Sequence, residues 1–128
     1  MSYYFSKKIR GAFENVIEKV TASLKSEGFG VLTEIDVKET LKKKLDVDFH
    51  KYRILGACNP PFAYKALQAE DKIGIMLPCN VIVQEKVEGE VEVAAIDPVA
   101  SMKAVDNPDL LNIAKQVQEK LKRVVESL

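Results

Sequence analysis

Tryptophan is absent from this chain, histidine occurs once and cysteine twice. The single imidazole, His50, excludes catalysis that needs two. Two cysteines are too few for the disulfide framework of a small secreted protein, and 128 residues bury a sizeable core without such staples. Reduced thiols are expected. Charge of one sign is also missing: Lys plus Arg and Asp plus Glu both number 19, so a formal net charge of zero gives no electrostatic case for nucleic acid. No run approaches the roughly 18 apolar residues of a spanning helix, and the opening MSYYFSKKIRG lacks the apolar core of a secretory signal. The expectation is a cytoplasmic protein without a membrane or nucleic-acid partner.

What is present is an ordinary globular balance of 47% apolar and 30% charged residues, with no internal repeat, linker or low-complexity segment. One domain over residues 1–128 is the simplest division. Tyr3 to Ile9 alternates aromatic and polar side chains and reads as a strand. Phe13, Val16, Ile17, Val20 and Leu24 then share one helical face, with Gly28 placed to cap the C-terminus. Gly30 to Ile35 reads as a second strand, and Asp36 with Glu39 resembles a capping box opening a helix whose buried side carries Val37, Leu41 and Leu45. The run Lys42, Lys43 and Lys44 fits that helix's wet face and last turn better than a nucleic-acid patch. Further on, Ile73 to Gln84 and Val91 to Ile96 form a hairpin around Glu88-Gly89. Asp97-Pro98 starts a short helical turn. Asn107-Pro108 opens a final helix with the stripe Leu110, Ala114, Val117, Leu121, Val124 and Leu128.

Between these lies ILGACNPPFAY, from Ile54 to Tyr64, echoed by LPCNV from Leu77 to Val81. The two segments hold both cysteines, each followed by asparagine. Tyr52, Ile54, Gly56 and Cys58 alternate with Arg53, Leu55 and Ala57 as a strand does, and Asn59 reads as the N-cap of a helix with Pro60 at its first position. Phe62, Ala63, Ala66 and Leu67 form the apolar stripe of that helix. Cys58 is thereby placed at a strand-to-helix junction, where the helix end favours a thiolate. Pro60 and Pro61 remove backbone donors, and no glycine-rich loop precedes them, so the junction is a poor phosphate cradle. Pro78 is badly tolerated inside a central strand, which predicts an edge, bulge or bend beside Cys79 and Asn80.

The segments DVKETLKKKL, YRILGACNPPFAYKAL, IGIMLPCNVIV and VAAIDPVASM, in this order, resemble the bacterial and archaeal family called domain of unknown function 302. The likeness runs from about Phe13 into the last helix. It implies an α+β domain with a curved antiparallel sheet and helices packed on one face, similar to the TATA-binding-protein-like folds. It implies no activity, and fold likeness carries no inference of DNA binding.

For Cys58 and Cys79 the plain alternative is that of small buried apolar residues. The sharper one brings the two Cys-Asn pairs together as a site for a small ligand or a metal such as zinc, with Cys58, Asn59, Tyr64, Cys79 and Asn80 around the ligand and the two thiols as metal ligands. Two thiolates do not close a tetrahedral zinc site, so His50, Asp97 or a second subunit has to supplement them. Asn59 and Asn80 have capping and turn chemistry as their ordinary use. His50 reads as a solvated loop residue, and Tyr52, Phe62 and Tyr64 read mostly as core. A binding module, expected to be a homodimer with apolar surface left along the edge by Tyr3, Phe5 and Ile9, is favoured over a thiol-dependent enzyme with Cys58 as nucleophile. The enzyme lacks a general base, because His50 lies roughly 25 Å away along an extended strand.

Overall fold

A computed structural model of the chain describes residues 2–128. Its elements are β1 (Tyr4–Arg10), α1 (Phe13–Ser26), β2 (Gly30–Asp36), α2 (Val37–Leu45), β3 (Lys51–Cys58), α3 (Pro60–Ala69), a short 3-10 helix (Ile73–Met76), β4 (Cys79–Val87), β5 (Glu90–Ile96), α4 (Pro98–Ser101) and α5 (Pro108–Glu126). The strands form one antiparallel sheet in the order β1-β5-β4-β3-β2. The fold is α+β, with the helices on one face of the sheet.

Period-2 alternation sends Leu55, Ala57, Val81, Val83, Val91, Val93 and Ala95 to the helix side. There they meet Val16, Val20 and Leu24 of α1 and Val117, Leu121 and Val124 of α5. Each fully buried Leu or Val contributes about 1.5–3 kcal/mol, so this layer of side chains is what holds the sheet to the two long helices. A smaller cluster of Ala66, Ile73, Met102, Leu110 and Ala114 continues the core beneath α3 and α4.

Local signals set the ends of the helices. After α1, Phe29 N–H donates to the Leu24 carbonyl and Gly28 N–H to that of Lys25, with Gly28 at φ 87°, the left-handed turn that glycine makes cheaply. The Asp36 carboxylate accepts from Glu39 N–H at the start of α2, and the Asn107 amide oxygen accepts from Asp109 and Leu110 N–H at the start of α5. The hairpin turns at Glu88-Gly89 as its sequence predicts. Arg53 ties three elements together: it donates to Glu34 at 2.9 Å and Glu14 at 3.0 Å and lies 3.7 Å from Asp36. Burial alone would lower its pKa, but the hydrogen bonds it donates to Glu34 and Glu14 hold it raised.

Several expectations are corrected. Ile73 to Gln84 is not one strand, because β4 begins only at Cys79, after a cis Leu77–Pro78 peptide. A proline cannot donate to the ladder, so pairing starts beyond it. The Val37, Leu41, Leu45 stripe of α2 is not a buried one: α2 has no fully buried residue, Val37 and Leu41 are half-buried, and Leu45 is 66% exposed. Of the three side chains expected to leave apolar surface along the edge, Phe5 and Ile9 pack against the core, and Tyr3 alone stays exposed, at 64%. Tyr64 is exposed and Tyr52 half-buried on the uncovered side of the sheet, so neither is core. His50 is not merely solvated: its ring stacks 4.1 Å from Phe49 and its Nε2 is 2.9 Å from the Gln84 side-chain oxygen. Among the described residues, no helix is long and apolar enough to cross a membrane.

Candidate functional site

β3 and β4 run antiparallel with Ala57 opposite Cys79. Cys58, the next residue on β3, is therefore a diagonal neighbour of Cys79. A cross-strand spacing of about 5.5 Å and a step of about 3.8 Å put their Cα atoms within roughly 9 Å of one another. Both thiols are free and half-buried. Burial, and then the nearby Cys58 thiol, push the Cys79 thiol up to about 11. Cys79 is thus a neutral thiol at physiological pH.

Both cysteines line a cavity of about 320 Å³ between this end of the sheet and the helices. Phe62, Ala63, Ala66 and Leu67 supply one wall from α3, the stripe that the sequence marks as apolar. Leu77 and Pro78 form a second wall. Met102, Ile113, Ala114 and Val117 close it from α4's end and α5. Apart from the two thiols, the only polar side chain in the lining is Asn59.

Asn59 is the one buried polar residue recorded in the described chain. It occupies the backbone position of an N-cap, yet its side chain makes no capping bond. Instead Nδ2 donates to the Glu27 carbonyl at 3.1 Å, joining the start of α3 to the end of α1. The expected cap is replaced by a tie between helices. Gly28 allows the approach, since a Cβ there would meet Nδ2 at 3.1 Å. The same Glu27 bonds Arg123 of α5 through its carboxylate, which lowers the Glu27 pKa, the Arg123 hydrogen bond being the largest cause.

Gly56 does comparable work on the outer side of β3. A Cβ at this position would stand 2.1 Å from Thr33 Oγ1 and 2.9 Å from Pro78 Cγ. Only a bare backbone lets Thr33 and Pro78 pack over the strand here, and Pro78 is a cavity wall.

The structure brings Cys58, Cys79 and Asn59 to one cavity and leaves Tyr64 and Asn80 out of it. Tyr64 is 66% exposed on α3. Asn80 follows Cys79 on a strand, and successive strand residues point to opposite faces. It accordingly lines a groove on the uncovered side with Tyr4, Tyr52 and Gln84. That separation was readable from the alternation alone. The contributions of Met102, Ile113, Ala114 and Val117 were not, since they depend on how α5 lies against α3. Among the described residues, no group of three or more His, Cys, Asp or Glu side chains is placed to hold a metal. His50 is bonded to Gln84 beyond the opposite end of β3, and Asp97 is engaged by Val99 N–H and the Gln118 amide. Neither supplements the thiols.

A five-stranded antiparallel sheet with helices on one face and an apolar cavity at its end defines an α+β domain. The family described as domain of unknown function DUF302 matches residues 5–128, and the chain belongs to that family. A crystal structure of an uncharacterised conserved DUF302 protein from Bacillus stearothermophilus is similar over 98% of both chains, with 28% sequence identity and a TM-score of 0.90. No protein of curated function matches the chain.

Proposed function

We propose that the chain is a binding module for a small apolar ligand, held in the cavity beside Cys58 and Cys79. The supporting observation is the cavity itself: its volume of about 320 Å³ falls within the ordinary range of ligand pockets, and such pockets pair apolar walls with few polar groups. The thiols would then act as polarizable wall groups, and Asn59 would keep the cavity's rim in place through Glu27. A thiol-dependent reaction at Cys58 has less support, because the lone imidazole is engaged far from it.

A fluorescent naphthalene-type probe tests the proposal. Its fluorescence should rise on binding, and saturating probe should slow labelling of Cys58 by a small thiol reagent. Ala63→Leu, which fills the cavity from α3, should weaken both effects at least tenfold. Labelling that ignores the probe would sink the proposal.

A further inference from the structure

We propose that the uncovered face of the sheet is the surface on which two copies of this chain associate. Strand registers align one outward-facing row across the whole sheet. Ile35 lies opposite Ile54, Ile54 opposite Ile82, Ile82 opposite Ala94, and Ala94 opposite Ser6. An antiparallel sheet with one face in water alternates to polar residues on that face. Here four of the five strands carry an apolar side chain in the same row, and Ile35 is 48% exposed. The parallel row beside it is polar and hydrogen-bonded: Gln84 Nε2 donates to Glu92 at 2.9 Å while its oxygen meets His50. An apolar centre beside a satisfied polar rim is the anatomy of a protein interface.

Charge and area select the occupant. The charged outward positions carry both signs, Lys8, Arg10 and Lys86 against Glu90 and Glu92, and Lys8 already lies 3.6 Å from Glu90. Three positive against two negative charges leave the face at a net +1, too little field to hold a polyanion and little repulsion toward its own copy. A two-fold axis places one patch against itself, which an interface of mixed charge tolerates. Five strands about 4.8 Å apart and seven residues long at about 3.4 Å each give a footprint of roughly 550 Å² per copy. The pair would cover about 1,100 Å², above the roughly 1,000 Å² that a biological interface needs and in the range of weaker, reversible association. A second copy of this chain therefore fits the face in size and in charge. The cavity beside Cys58 is walled by α3 and α5 and shares no lining residue with the row Ile35, Ile54, Ile82 and Ala94, so this interface stands or falls apart from ligand binding.

Sedimentation equilibrium of the full chain over a range of concentrations tests it. A mass of twice 14.3 kDa is expected, and Ile54→Asp or Ile82→Asp should raise the dissociation constant at least ~30-fold without changing the far-UV circular dichroism. Hydroxyl-radical footprinting of the unaltered chain should show Tyr52 protected as concentration rises, which decides the matter should the variants not fold. A 14.3 kDa particle at every concentration, a dimer that survives in folded variants, or Tyr52 equally reactive in dilute and concentrated solution would overturn the proposal. So would a monomer whose Tyr52 is protected only by duplex DNA or phospholipid vesicles.

Discussion

The side-chain amide of Asn59 and the backbone carbonyl of Glu27 are joined by a 3.1 Å hydrogen bond that fixes α3 to α1 at the cavity rim. The geometry separates two roles that the same position can play. An N-cap accepts from the helix and tolerates aspartate well. A tie to a carbonyl needs a donor, which a carboxylate lacks. Asn59→Asp should therefore destabilise at least as much as Asn59→Ala, each by about 1–3 kcal/mol. Urea unfolding of the two variants measures this; an aspartate variant as stable as the parent would restore the capping role.

Gly56 should be intolerant of even one methyl. The nearest obstacle is Thr33 Oγ1, with Pro78 behind it. Gly56→Ala should cost about 1–3 kcal/mol as an overpacked site. Adding Thr33→Ala should return part of that loss, giving favourable coupling in a double-mutant cycle. Strictly additive effects in denaturant titrations would show that Thr33 is not the obstacle.

Cys79 predicts a particular alkaline loss of stability. Its thiol is raised from 9.0 to about 11 by burial, so the folded protein keeps a proton that the unfolded chain releases. Stability is whole below about pH 9 and falls between about pH 9 and 11, by at most about 2–3 kcal/mol. Lysines and tyrosines titrate in the same window, so the measurement is a difference. The parent should lose more stability than Cys79→Ala between pH 8.5 and 10.5, and parallel slopes would refute the buried thiol.

Much of this architecture follows from local rules. The helical face of Phe13 to Leu24, Gly28 as a left-handed stop, the Asn107 cap and the Glu88-Gly89 turn all act within a few residues, and they stand where the sequence places them. The misplacements come from partners distant in the chain. The apolar spacing of Val37, Leu41 and Leu45 reads as a buried stripe, but full burial needs an element across the whole stripe, and α2 leaves Val37 and Leu41 half-buried and Leu45 exposed. Ile73 to Met76 is a short apolar run, which periodicity alone does not assign to strand or helix. Asn59 carries the signature of a cap, and only the arrival of Glu27 turns its amide elsewhere. For the site, the proximity of the two cysteines is legible once β3 and β4 are paired, whereas nearness in sequence also draws in Tyr64 and Asn80, which a helix and a strand disperse.

The sheet order also dictates a sequence of events during synthesis. The first strand made, β1, pairs only with β5, so Tyr4 waits for Ile96. β2, β3 and β4 can zip together earlier, by contacts closer in the chain, but until β5 leaves the ribosome β1 has no neighbour for its backbone groups, and Phe5 and Ile9 lack most of their shelter. β5 then inserts as the keystone between two waiting edges. Such late closure of a long loop slows folding and leaves an unpaired strand open to other chains. The outward-facing Lys8 and Arg10 put positive charge on that waiting strand, a common guard against edge-to-edge pairing.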